Sequence, residues 1–151
     1  MNINRDRDII NTMSKIKVAG IKRKTKFSPN HIGNDGMIFS ETAECLRNMG
    51  YDVREYTEDE FILSEENERY IFNMARDKTT IRKLKKREED GAVIINPGTG
   101  IENCTREAMT RLLLENDIPY PTSLIVDVTD DPSQELKKMT ADAYWIKRGD
   151  S

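Results

Sequence analysis

The sequence predicts an α/β protein, with a mainly parallel sheet carrying helices on both faces, followed by the beginning of a second, α+β unit. Three observations lead there. Short apolar runs of strand length alternate with segments of helical period from Lys15 to Ile95, the order expected of strands joined by covering helices. One run, Ala92 to Ile95, is apolar throughout, as in a parallel strand buried on both faces. After Ile118 and Pro119 the strand and helix signals start again.

Residues 1–14 show no convincing period and read as a flexible arm, in which Ile9, Ile10 and Met13 suit a short helix packing on the body. Lys15 to Ile21 reads as the first strand, with Ile16, Val18 and Ile21 as its apolar members. Lys22 to Lys26 makes a polar exit, and Phe27 to Gly36 is a loop by composition. From about Asn34 to Met49, Ile38, Thr42, Cys45, Leu46 and Met49 recur at helical spacing, and Gly50 stands where a left-handed cap belongs. Tyr51 to Tyr56 alternates as a half-buried strand does. Thr57 to Asn67 is acidic and irregular, anchored only by Phe61, Ile62 and Leu63. Arg69 to Met74 is a strand, about Thr79 to Asp90 a helix, and Ala92 to Ile95 the fourth strand, so residues 15–98 form one domain.

The second part spans residues 99–151. Thr99-x-x-Glu102 forms a capping box for a short turn. A helix runs from about Asn103 to Glu115, with Glu107 and Arg111 as an i,i+4 pair and Ile118-Pro119 ending it. Ser123 to Val128 reads as a strand, Pro132 to Thr140 as a helix, and Ala143 to Lys147 as a last strand. That strand delivers Lys147 into a Gly-containing turn close to Ser151, which reads as an unfinished domain.

Acids and bases nearly balance, 27 against 24, for a net charge of −3. No overall basic field is available to hold nucleic acid or an anionic membrane. The sequence also has no apolar stretch of bilayer length and no leader-like N-terminus, so a cytoplasmic location is expected. Cys45 and Cys104 fall on the apolar faces of predicted helices and read as small hydrophobes rather than as a disulfide or metal pair. Lys78 to Arg87 holds six basic residues in ten, but Glu88 to Asp90 follow and no aromatics interleave; a solvated helix face is expected. The acidic groups around Glu58 to Glu60 and Glu65 to Glu66 likewise read as a solvated loop rather than a cation site.

Val93 to Pro97, then Asn103 to Thr122, then Tyr144 to Gly149 together resemble the ATP-grasp superfamily of carboxylate–amine and carboxylate–thiol ligases. The resemblance covers about Lys15 to Ser151. It resides in the order and spacing of the pieces: a strand ending in Asn, a helix bearing a basic residue, an Asp-Ile-Pro-x-Pro turn and a strand ending in Lys. It implies a small Rossmann-like pre-ATP-grasp domain over 15–98, and a linker helix with the incomplete first part of the ATP-grasp domain over 99–151. It also implies ATP and Mg²⁺ as cofactors of the full-length protein, a small-molecule carboxylate and amine as substrates, and admits a homodimer. The reaction would proceed through an acyl phosphate.

By the same resemblance, Arg106 matches the basic helix position that contacts nucleotide phosphates, and Lys147 matches the lysine before the glycine-rich lid. The chain departs from the family pattern after Lys147, where Arg148-Gly-Asp-Ser151 stands in place of Pro and a Gly/Ser-rich loop. The magnesium-binding acids would lie further downstream, in a reading frame expected to continue past Ser151, so residues 1–151 alone are not expected to complete the reaction. The loop from Ser28 to Asp35 follows the first strand and precedes a helix, the place where open α/β sheets bind ligands. Asn30, His31 and Asn34 are therefore the candidate substrate contacts. The alternative function is a non-catalytic Rossmann-like ligand-binding or interaction module.

Overall fold

The computed structural model describes residues 15–27, 32–65 and 67–149. The arm 1–14 and the candidates Asn30 and His31 lie outside the described residues. The chain divides into two compact units, 1–98 and 99–151.

Unit 1 contains β1 (Lys17–Lys22), α1 (Ile32–Asn48), β2 (Asp52–Thr57), α2 (Glu58–Leu63), β3 (Tyr70–Asn73), α3 (Lys78–Glu89) and β4 (Val93–Ile95). The sheet is parallel throughout, in the order β2-β1-β3-β4, so unit 1 is a Rossmann-like α/β fold. Strands and helices alternate as the sequence predicts, with α2 added between β2 and β3 where no helix was expected. β1 lies inside the sheet, and its Val18, Ala19 and Ile21 are all buried, which explains why this short strand is apolar on both faces.

Side chains in register point to the same side of a sheet. Val18 pairs with Val53 and Gly20 with Phe72, and this face packs on Ala43 and Leu46 of α1. Phe39 of α1 stacks on Phe72 with ring centroids 5.1 Å apart. Gly20 lies beneath both rings, and a Cβ added there would come within 2.5 Å of Phe72 and 2.9 Å of Phe39. Here glycine supplies room. The opposite face carries Ile21 in register with Tyr56, and Phe61 of α2 meets Tyr56 edge-on at 6.3 Å. Helices therefore cover both faces.

Lys83 joins α3 to α2. Its ammonium donates to the carbonyls of Phe61 at 2.6 Å, Ile62 at 3.1 Å and Ser64 at 2.6 Å, satisfying acceptors that a helix C-terminus leaves open. Burial, and secondarily the charge of Arg87, hold its pKa below the ordinary lysine value.

Several local expectations are corrected. The buried stripe of α1 is Phe39 and Ala43 with Leu46 half-buried, whereas Ile38 and Met49 are 58% and 71% exposed. Two stripes of equal period lie one residue apart in this sequence, and the one bearing the aromatic that fits over Gly20 is buried. Cys45 and Cys104 are exposed thiols rather than packed ones. The acidic stretch after Thr57 is not irregular but helical. Thr57 accepts from the Glu60 N–H, and the Glu60 side chain accepts from the Thr57 N–H at 2.7 Å, a capping box spelled by Thr57-x-x-Glu60. The expected cap at Gly50 is present, with φ of 94° and hydrogen bonds from Gly50 N to Arg47 O and from Tyr51 N to Leu46 O, the paired closure of a Schellman motif.

Unit 2 is helical among the described residues. α4 (Gly98–Asn103) begins at the boundary, so Thr99 lies within its first turn rather than capping it. The helix expected from Asn103 starts at Arg106 as α5 (Arg106–Glu115), because the Thr105 hydroxyl caps it by accepting from Ala108 N at 3.3 Å. α6 is Ser133–Lys138. The strands expected over 123–128 and 143–147 are not formed among the described residues. A strand needs a neighbour to satisfy its backbone, and Val128, Trp145 and Ile146 are 100%, 92% and 96% exposed.

Candidate functional site

In unit 1 the chain leaves β1 through α1 to β2 on one side, then crosses back to β3 on the other. The strand order thus reverses between β1 and β3, and in open α/β sheets the loops at the carboxyl ends of two such strands enclose a crevice. These loops are Arg23 to Phe27 after β1 and Met74 to Asp77 after β3.

Glu58 clasps the two loops. This first residue of α2 is 0% exposed, and its carboxylate accepts from the backbone N–H of Lys24 at 2.9 Å, Arg76 at 3.3 Å and Asp77 at 2.8 Å. Further polar contacts reinforce the clasp: Arg23 Nε donates to the backbone carbonyl of Met74 at 3.0 Å, and Lys24 Nζ forms ion pairs with Asp59 at 2.7 Å and Asp77 at 3.3 Å. The bond to Asp59 chiefly raises the Lys24 pKa; burial opposes it and Asp77 adds to it. Burial pushes the Asp77 carboxyl up, but the Thr79 N–H together with Lys24 and Lys26 holds it below its ordinary value. Asp77 also caps α3 through the Thr79 N–H at 3.0 Å. Asn73 donates to Asn96 O at 2.8 Å, tying the end of β3 to the end of β4. Arg76 carries a buried guanidinium nitrogen, Nη1, with no hydrogen-bond partner among the described residues, a group that a ligand or water would satisfy.

Beside this clasp lies a cleft of about 190 Å³, between the exit of β1 and the opening turns of α1. A larger hollow, about 440 Å³, lies at the amino ends of β1 and β3, lined by Ile16, Lys17 and Asn67 to Tyr70. The smaller cleft has the position expected of a ligand site.

Of the residues chosen from sequence, Asn34 is exposed in the first turn of α1 and does not line the cleft. Glu58, Arg76 and Asp77 were missed. The acidic loop expected around Glu58 is corrected here, since this side chain is fully buried.

In unit 2, Arg106 opens α5, and its Nη1 lies 3.5 Å from the carbonyl of Arg148. The Glu107 N–H donates to Gly149 O at 2.9 Å, so residues 148–149 rest on the first turn of α5. Lys147, the next residue back, is exposed. The hydroxyls of Thr110 and Tyr120 are 3.2 Å apart. That bond lowers the Tyr120 pKa, with burial opposing and Ser123 and the charge of Lys147 assisting. Arg106, Tyr120 and Lys147 therefore belong to one neighbourhood, although they are distant in sequence. The described residues hold no group of three or more His, Cys, Asp or Glu side chains suited to a metal ion. No helix among them is long and apolar enough to cross a membrane.

No family model, curated protein or solved structure matches this chain.

Proposed function

We propose that this chain is the N-terminal portion of a cytoplasmic ATP-dependent ligase that joins a carboxylate to an amine or thiol through an acyl phosphate. Unit 1 receives a small substrate at the carboxyl ends of β1 and β3, and unit 2 contributes cations to the nucleotide. The observation that carries the reading is the return of the chain onto α5, where Arg106 approaches the carbonyl of Arg148 next to Lys147. Two basic residues singled out by resemblance alone thus lie on one short stretch of surface.

The donor set suits a polyphosphate. Arginine offers a planar fork to phosphate oxygens and lysine a compact charge. Tyr120, near enough to Lys147 to feel its charge, adds a hydroxyl. ATP would supply the phosphoryl group, with Arg106 and Lys147 as its holders. Mg²⁺ would be held by acids beyond these residues.

Calorimetry of residues 1–151 with ATP and Mg²⁺ tests the reading. Weak binding is expected, with a Kd on the order of 0.1–1 mM, lost in Lys147→Ala and Arg106→Ala. Binding that survives both substitutions, or none in the parent chain, would refute it.

A further inference from the structure

The cleft beside β1 is lined by Lys22, Arg23, Thr25, Asp35, Phe39 and Ser40, and its wall carries both signs of charge. Arg23 Nη1 meets Asp35 Oδ2 at 2.9 Å, with 21% and 20% of the two side chains still exposed. The Arg23 Nε bond to Met74 O holds the guanidinium in place. Lys22 is drawn aside, 2.8 Å from Glu55 and 5.3 Å from the centre of the Phe39 ring. Phe39 is 2% exposed and gives the floor apolar character.

This arrangement discriminates by charge. A plain anion entering beside Arg23 meets the carboxylate of Asp35, and a plain cation beside Asp35 meets Arg23. Each unmatched charge is repelled at short range. A ligand with a carboxylate and an ammonium a few ångströms apart can lie across the pair, giving each protein charge a new partner and keeping the hydrogen bonds charge-assisted. Thr25 and Ser40 add hydroxyls that both donate and accept. The volume is below the roughly 300–1,000 Å³ typical of drug-sized sites, which limits the ligand to a few heavy atoms.

We infer that this cleft binds a small α-amino acid as its zwitterion, carboxylate toward Arg23 and ammonium toward Asp35. The inference rests on the reading that unit 1 receives the substrate of a ligase, and names that substrate's class.

The test titrates the ¹⁵N-labelled chain with alanine, propionate and ethylamine, three molecules of similar size that differ only in charged groups. Alanine should give saturable shifts in the amides of residues 22–25 and 35–40 with a Kd on the order of 1 mM, and the other two should bind at least about tenfold more weakly. Asp35→Asn, which keeps the shape, should weaken alanine and strengthen propionate. Equal affinity for alanine and propionate, or no saturable response to alanine, overturns the inference. So does an Asp35→Asn chain that folds and keeps the parent's preference. ATP added to the same sample follows the amides of 106–110 and 147–149. A response to alanine without one to ATP overturns the ligase reading and leaves the cleft assignment standing; the reverse overturns the cleft assignment alone.

Discussion

Replacing Glu58 with alanine should damage unit 1 more than any other change of an acidic residue in it. The side chain is fully buried and accepts from three backbone N–H groups, those of Lys24, Arg76 and Asp77. Alanine offers no acceptor, so three donors lose their partner at once. An unpaired buried donor costs about 1–3 kcal/mol. The three N–H groups lie in loops, where water can replace part of the loss, so the expected total is about 3–5 kcal/mol. For a domain of this size about 1 kcal/mol moves Tm by roughly 4–8 °C, so the melting temperature should fall by at least about 12 °C. Glu58→Gln keeps one oxygen but turns an N–H₂ group toward a donor, and should fall between alanine and the parent.

The assay must report on unit 1. The only tryptophan is Trp145, in unit 2, so its fluorescence is uninformative. Hydrogen exchange of the Ala19 and Ile21 amides in β1, with urea unfolding followed by circular dichroism, gives the stability directly. Glu44→Ala is the control, because this exposed side chain on α1 lies outside the clasp, and its midpoint should stay near that of the parent. If Glu58→Ala loses less than about 0.5 kcal/mol, the carboxylate is not the clasp described here.

Other outcomes follow from the same contacts. Gly20→Ala would place a methyl 2.5 Å from Phe72 and should cost about 1–3 kcal/mol, recovered in part by adding Phe72→Leu; an undiminished urea midpoint would refute the packing argument. Lys83→Met removes donors to three carbonyls at the end of α2 and should lower stability by about 1–3 kcal/mol, with faster exchange of the Ser64 amide as its local sign. Glu55, held low first by Lys22 and then by Arg47, and Asp77 both have folded pKa values below their unfolded ones. Their contribution is complete above the unfolded values near 4.5 and 3.8 and is lost as pH falls through the lowered ones. Urea midpoints should therefore decline below about pH 4.5, and the combined Glu55→Gln and Asp77→Asn chain should decline less.

Sequence carried most of unit 1, because strand composition and helix spacing are local properties. It failed at β4, read as buried on both faces but standing at the sheet edge with Val93 and Ile95 47% and 66% exposed, and in α1, where two local solutions competed. Ile38 and Phe39 begin equally periodic stripes along α1, and only the position of Gly20, some twenty residues earlier, selects Phe39. The strands expected at 123–128 and 143–147 show the converse. Their composition is right, yet a strand is defined by its neighbour, and no neighbour pairs with them among the described residues.

The site was less legible, and residues 58–60 show why. Glu58, Asp59 and Glu60 are consecutive acids, and by composition they read as one solvated loop. In the fold they do three different things. Glu58 is fully buried under three backbone donors, Asp59 stands in solvent against Lys24, and Glu60 folds back on Thr57 to close a capping box. Only the last has a sequence signature, the Thr57-x-x-Glu60 spacing, and from it the others follow. Once the box fixes Thr57 as the residue before the helix, Glu58 must be the first residue of α2, at the carboxyl end of β2. There its side chain faces the loops leaving β1 and β3, whose N–H groups have no ladder partners. A carboxylate at that position satisfies them, and the acid that charge counting assigns to water becomes the one that ties together the loops at the carboxyl edge of the sheet.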